Sequence, residues 1–232
     1  MPAPETIYWR AAPPRLDLGP GDLHLWRIRT DHFGADVGDC MRQLASRQQA
    51  RASRMRHLPY RERYVRAQAG LRRILSRYLD APPQSIRFDH GPAGKPMLPP
   101  DSQPLCFNLT TTGDLALVGV SAGRGPDAEV GVDCERIRPR RDITAVAERM
   151  FKAEVVQALG AARESERLAH FYLAWTALEA DAKADGRGLF RPRDPGARPP
   201  TVVHCIPETG YVAAVAREIL PMVCHWSTND MS

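Results

Sequence analysis

Apolar and polar positions along Leu23-His24-Leu25-Trp26-Arg27-Ile28 alternate as in a strand with one covered face. Over residues 36–79 the apolar positions fall instead at helical spacing, and Leu71, Ile74, Leu75, Tyr78 and Leu79 share one face of the second half. Pro82-Pro83 ends that helix, and Ile86-Arg87-Phe88 starts a short strand before a turn-rich segment, residues 90–96. Residues 106–109 and 115–120 predict strands joined by a loop at 110–114, with a third strand at 129–135. Helical patterns follow at 142–159 and 165–185, and strand patterns at 201–206, 211–216 and 223–226. This order predicts an α+β protein of two similar-sized lobes, 1–125 and 126–232, joined at the turn Gly123-Arg124-Gly125-Pro126. Residues 190–200, with Pro192, Pro195, Pro199 and Pro200, predict an exposed, mobile loop.

Composition narrows the class. The chain has 232 residues, 43% of them hydrophobic and 25% charged, an ordinary balance for a soluble globular protein. No apolar run approaches the roughly 18 residues of a membrane span, and Met1-Pro2-Ala3-Pro4-Glu5 lacks the basic-then-apolar pattern of a secretory signal, so a cytoplasmic protein without membrane partners is expected. Cys40, Cys106, Cys134, Cys205 and Cys224 are scattered and signal neither a disulfide framework nor a zinc site. The net charge of +5 points to an anionic partner, and eleven arginines between Arg42 and Arg77 face only Glu62 in that stretch.

Four segments carry candidate chemistry. In Gly131-Val132-Asp133-Cys134-Glu135 a strand places Asp133 and Glu135 on one face, and two carboxylates so close favour a cation between them; with one further carboxylate the set suits magnesium, though a solvated strand face has the same pattern. On the helix Trp175-Thr176-Ala177-Leu178-Glu179-Ala180-Asp181-Ala182-Lys183, Glu179 and Lys183 share a side, with Trp175 expected to make the opposite face a packing surface. As a surface ion pair alone they are worth about 0.3–0.5 kcal/mol, but the helix runs into Gly186-Arg187-Gly188-Leu189, a turn able to wrap a ligand. The turn Gly91-Pro92-Ala93-Gly94-Lys95-Pro96 presents a lysine without being a P-loop. Thr110-Thr111-Thr112-Gly113-Asp114 offers hydroxyls and backbone N–H groups to a phosphate, or is an ordinary hairpin turn.

In their order and spacing these pieces resemble the Sfp-type 4′-phosphopantetheinyl transferases over residues 45–217. The resemblance is carried by Gly94-Lys95-Pro96, Phe107-Asn108-Leu109 running into Gly113-Asp114, Gly131-Val132-Asp133-x-Glu135, and Trp175-Thr176-x-x-Glu179-Ala180-x-x-Lys183-x-x-Gly186-x-Gly188-Leu189. It implies a monomeric pseudo-twofold α+β fold with coenzyme A in the cleft between two lobes. The implied activity is transfer of the 4′-phosphopantetheine group of coenzyme A to a serine of an acyl or peptidyl carrier protein.

By the same resemblance Asp133, Glu135 and Glu179 are the magnesium ligands. Glu179 and Lys183 are the catalytic pair, Lys183 also lying beside the pyrophosphate. Lys95, Pro96, Thr110, Thr111 and Asp133 contact the cofactor, while Arg51, Arg54 and Arg66 fall near the family's site for its 3′-phosphate. An acidic carrier would dock on the basic surface, with exposed apolar residues near the helix at 143–159 as the dry centre of that contact.

Two departures stand out. The family usually has Ser-His-Ser where this chain has Thr110-Thr111-Thr112, and Lys where it has Leu178, each losing a contact that is or can be cationic. A homologue that binds coenzyme A or a carrier without turnover is therefore one alternative. The other is a nucleic-acid-binding module built on the arginine-rich helices, against which Leu71, Ile74 and Leu75 commit that segment to a core and few aromatics interleave with the arginines.

Overall fold

Strands β3 (His24–Arg29) and β7 (Leu115–Ala122) bury apolar residues on both faces, and β6 (Leu105–Thr112) buries Leu105 and Phe107 on one face and Asn108 and Thr110 on the other, so each face needs its own cover. In the computed structural model, which describes residues 3–231, Trp26, Ile28, Phe107, Ala116 and Val118 pack under helix α3 (Leu58–Leu79) through Leu71, Ile74 and Leu75. Leu25, Leu115 and Leu117 project the other way, onto Val130, Val132 and Cys134 of β8 (Val130–Arg136) and Ala213 and Val215 of β10 (Tyr211–Arg217). Helix α6 (Glu164–Asp185) covers the far side of that second sheet, Ala180 and Ala184 meeting Ala214 and Ala216. The α+β fold is thus four layers deep, helix, sheet, sheet, helix.

Part of one succession of elements recurs, although the 3₁₀ turn Pro83–Ser85 and the short hairpin between α3 and β6 have no counterpart in the second half. In the first half β3 is followed by α1 (Val37–Arg42), α2 (Ser46–Ser53), α3 and the hairpin β6–β7, in the spatial order β3-β7-β6; in the second, β8 is followed by α4 (Ile143–Met150), α5 (Ala153–Ala161), α6 and the hairpin of β9 (Thr201–Ile206) with β10, in the order β8-β10-β9. Near the two termini the halves exchange strands. β1 (Glu5–Thr6) lies parallel to β9, and β11 (Ser227–Asp230) lies parallel between β2 (Arg10–Ala11) and β3. β6 and β8 are the facing edges of their sheets, and side chains join them: Val132 N donates to Asn108 Oδ1 at 2.8 Å, and Arg136 N to Thr112 Oγ1 at 3.3 Å.

Several elements differ from expectation. The helix expected over 36–79 is three helices, because Asp36 and Ala45 begin new ones and Pro59 lies in the first turn of α3, where its missing N–H costs nothing but where it disfavours continuation of a helix from the residues before it. The helix expected over 142–159 breaks at Phe151, which leaves helical geometry (φ −105°, ψ 159°) to pack on Phe171 and Trp175. Ile143, Val146, Val155 and Val156 are half-buried against this aromatic cluster rather than exposed. Residues 223–226 are not a strand: Val223–His225 is a 3₁₀ turn, and the buried Trp226 donates from its indole to Pro221 O at 2.8 Å. The segment 190–200 is irregular but pinned, since Arg193 pairs with Asp181 and Asp185 of α6. Cys40, Cys134 and Cys205 are buried, Cys106 is half-buried and Cys224 is exposed. Among the described residues no helix is long and apolar enough to cross a membrane.

Of the described glycines, Gly131 is the most closely approached, where α6 meets β8. A Cβ built on Gly131 would lie 2.0 Å from Ala180 O and 2.5 Å from Ala184 N. Only a residue without a side chain fits, and backbone atoms cannot swing aside as a side chain can. Gly131→Ala should therefore destabilise the protein at or beyond the upper end of overpacking penalties, about 3 kcal/mol, read as a lowered denaturation midpoint in guanidinium.

Candidate active site

Because strand side chains alternate, Gly131, Asp133 and Glu135 all point at α6 while Val130, Val132 and Cys134 enter the core between the sheets. The glycine lets the helix close, and the two carboxylates then meet Glu179 and Lys183, which share a face of α6 by their four-residue spacing. Lys183 Nζ donates to Asp133 Oδ1 at 2.6 Å and lies 3.7 Å from Glu179 Oε2. From the other side β6 contributes two hydroxyls: Thr110 Oγ1 donates to Asp133 Oδ1 and Thr112 Oγ1 to Glu135 Oε2, each at 3.1 Å.

Asp133 is 3% exposed, and its second oxygen, Oδ2, is buried without a hydrogen-bond partner. Burial raises its pKa to about 6, further than Lys183 can bring it back, and the charges of Glu179 and Glu135 add to the rise. Glu135 is also raised, first by burial, while hydrogen bonds from Thr112 and the indole of Trp175 oppose this. Trp175 thus does not mark the far face of α6; it stands on the carboxylate side, stacked on Phe171 at a ring separation of 6.2 Å. Among the described residues no three His, Cys, Asp or Glu side chains are drawn together closely enough to hold a metal ion as they stand. The ammonium of Lys183 is the counter-charge to the cluster.

A cavity of about 870 Å³ opens on the N-terminal half, with Arg47, Arg51, Arg54 and Arg87 among its walls and Asp89 the one carboxylate among its described lining residues. Arg51 lies over the Tyr64 ring at 5.1 Å. Gly94 and Pro96 line the cavity as well, and so does Leu109. Thr111 is exposed on the same face of β6 as Leu109, opposite Thr110 and Thr112. Arg66 does not reach this cavity, since it lies on another face of α3 and pairs with Glu62 at 3.2 Å. Lys95 is turned away too, its ammonium bonded to Glu129, Val130 O and Ala184 O.

Comparisons with known proteins bear on this arrangement. Residues 129–214 match the model of the 4′-phosphopantetheinyl transferase superfamily, a stretch that includes Asp133, Glu135, Glu179 and Lys183. The chain is 31% identical over 223 residues to 4′-phosphopantetheinyl transferase HetI of Nostoc sp., an alignment covering 90% of this chain and 92% of that protein. The chain belongs to the 4′-phosphopantetheinyl transferase superfamily. Shorter matches link it to 4′-phosphopantetheinyl transferase Sfp of Bacillus subtilis, at 28% over 126 residues (53% of this chain, 52% of that protein), and to a putative 4′-phosphopantetheinyl transferase of Synechocystis sp., at 33% over 147 residues (63% and 58%).

The fold therefore gathers Asp133, Glu135, Glu179, Lys183 and Thr110 at one place in this transferase-family chain and Arg51, Arg54 and Pro96 at another, while Arg66 and the Lys95 ammonium join neither. Sequence reasoning missed Thr112 and Asn108 as the residues that register β6 on β8. Their signal was a polar residue at every second position, 108, 110 and 112, on the strand face opposite Leu105, Phe107 and Leu109. It also missed Glu129, the partner of Lys95.

The raised carboxylates make a pH test. A folded-state pKa above the unfolded value means the native protein holds the extra proton, so this stability is present at low pH and is lost as pH rises through the folded value. In chelator, wild type should lose stability relative to Asp133→Asn as pH is raised from about 4 to about 6. Parallel melting temperature profiles for the two proteins would refute this.

Proposed function

We propose that the chain transfers the 4′-phosphopantetheine group of coenzyme A to a serine hydroxyl of an acyl or peptidyl carrier protein, releasing 3′,5′-ADP. The observation that carries this reading is the buried Asp133 with its unpartnered Oδ2, set among two further carboxylates and a lysine. A hard divalent cation fits that set: all its side-chain ligands are oxygens, and Asp133 and Glu135 are raised first by burial and then by the neighbouring carboxylates. Asp133, Glu135 and Glu179 would hold magnesium, which supplies neutralisation of pyrophosphate charge when bound.

The chain's own residues account for the remaining chemistry. The serine oxygen attacks the phosphorus that bears pantetheine, the bond from that phosphorus to the oxygen of the departing 3′,5′-ADP breaks, and the serine proton passes to Glu179 or to a water it orients. Lys183 stabilises negative charge on the departing phosphate. Thr110 and Thr112 fix the orientations of Asp133 and Glu135 by donating to one oxygen of each. Arg51 and Arg54 receive the 3′-phosphate in the arginine-lined cavity, where Pro96 also lies, and Thr111, exposed on the Leu109 face of β6, offers its hydroxyl to the cofactor from that side.

In this reading the lobes 1–125 and 126–232 hold the cofactor between them. The protein acts as a cytoplasmic monomer, and its basic surface steers an acidic carrier into a transient encounter.

Incubation with coenzyme A, magnesium and a panel of apo carriers should raise the intact mass of a carrier by one phosphopantetheine. Excess EDTA should abolish the gain, and Glu179→Gln should lower kcat by about 10²-fold or more. Full activity in EDTA would overturn the metal assignment, and full activity of Glu179→Gln the catalytic one. If Arg51 and Arg54 hold the 3′-phosphate, coenzyme A should bind more tightly than its 3′-dephospho form, each charge-assisted contact contributing about 1.5–3 kcal/mol. The double alanine variant should lose that preference in calorimetric titrations; equal affinity of wild type for both ligands would count against the placement.

A further inference from the structure

The turn that carries Lys95 is a tight one, joining β4 (Asp89–His90) to β5 (Pro96–Met97): Gly91 N donates to Lys95 O at 2.9 Å, Gly94 N donates to Gly91 O at 2.8 Å, and Gly94 takes φ +85°. Its backbone lines the arginine-rich cavity at Gly94 and Pro96. The lysine side chain leaves in the other direction and is 8% exposed. An ammonium has three donors, and all three are engaged: one with the Glu129 carboxylate, one with Val130 O at 3.2 Å and one with Ala184 O at 2.7 Å. None remains for a phosphate unless a buried ion pair is broken.

The acceptors are the informative part. Val130 opens β8, three residues before Asp133, and Ala184 directly follows Lys183 in the last turn of α6. A cation at the carbonyl end of a helix is favourable for the helix dipole as well as for the hydrogen bond. Gly186 and Gly188 make room for the turn. A Cβ on Gly186 would lie 3.2 Å from Lys95 Cδ and one on Gly188 3.3 Å from Ala93 Cβ, and both glycines sit at positive φ, +69° and +77°. The Gly-Lys-Pro turn and the Gly-x-Gly turn, each resembling a ligand-contacting element, are therefore packed on one another.

We infer that Lys95 is a positioning residue, which clamps the end of α6 to the start of β8 and so sets Lys183 against Asp133, and not a cofactor contact. The kinetic part of this inference rests on the transfer reading above. The clamp fixes the chain on either side of the 2.6 Å bond between Lys183 Nζ and Asp133 Oδ1. A displacement of about 1 Å in such a pair is enough to slow a reaction by about 10²-fold.

Lys95→Met keeps an unbranched, largely apolar stem and removes the ammonium. The test measures kcat, KM for coenzyme A with one carrier, and the calorimetric Kd for coenzyme A, all well below the variant's melting temperature. The expected result is kcat lower by about tenfold to 10²-fold, with KM and Kd within twofold of wild type. A Kd weakened tenfold with kcat preserved makes Lys95 a cofactor contact and overturns the inference. A lowered melting temperature with unchanged kcat, KM and Kd reduces it to a structural tie and overturns it equally. Should Lys95→Met not fold, Glu129→Gln, which keeps the acceptor and removes the counter-charge, is read by the same split. Wild type that loads no carrier removes the transfer reading, and with it the reaction Lys95 would serve. That outcome differs from failure of the inference alone, in which wild type transfers and the variant binds poorly.

Discussion

Everything at the candidate site depends on how closely α6 can approach β8. With its backbone almost touching Gly131, the helix brings Glu179 and Lys183 within bonding range of a strand that carries Asp133 and Glu135 on the same side. Any larger residue at 131 would hold the helix away and separate the cluster. The contact also explains the small residues around it: Ala180, Ala184, Ala214 and Ala216 form a surface with little relief, so helix and sheet meet nearly backbone to backbone. Close packing here has an electrostatic result, because it buries Asp133 beyond the reach of water and raises its proton affinity.

The second joint is polar. Two sheet edges ordinarily either pair through their backbones or are kept apart. Here β6 and β8 face one another, and three side chains of β6 do part of the work a ladder would do. Asn108 and Thr112 accept from backbone N–H groups of β8, while Thr110 and Thr112 donate to the carboxylates. The same strand that joins the two halves therefore also orients the acids, which couples the integrity of the fold to the geometry of the site.

Much of this was legible in the sequence, and the rest was not for identifiable reasons. The period of two in β8 and the four-residue spacing in α6 are local rules, and they place Asp133 beside Glu135 and Glu179 beside Lys183 correctly. That the two pairs meet is a long-range fact, set by Gly131 and carried in the sequence only as a resemblance. Arg51 and Arg54 came out together and Arg66 apart because α2 and α3 are separate helices; the break before Pro59 resets the helical phase, so spacing along the chain no longer tells which arginines share a face. Lys95 was identified as notable, but its direction depends on acceptors 35 and 89 residues away. β1 and β2, of two residues each, are too short to show a period, and Ser227-Thr228-Asn229-Asp230 lacks the apolar alternation of a strand although it lies inside a sheet.

The exchange of β1 and β11 between the sheets bears on how such a chain is made. β11 separates β2 from β3, so the five-stranded sheet of the first half stays open until synthesis has passed residue 230. The nascent first half must wait on the ribosome with the β3 edge uncovered, and its sheet closes only through a contact spanning some two hundred residues. Completing that sheet thus needs a non-local contact, and contacts of this kind slow folding. A protease reaching the chain before β11 is in place would find the β3 edge uncovered.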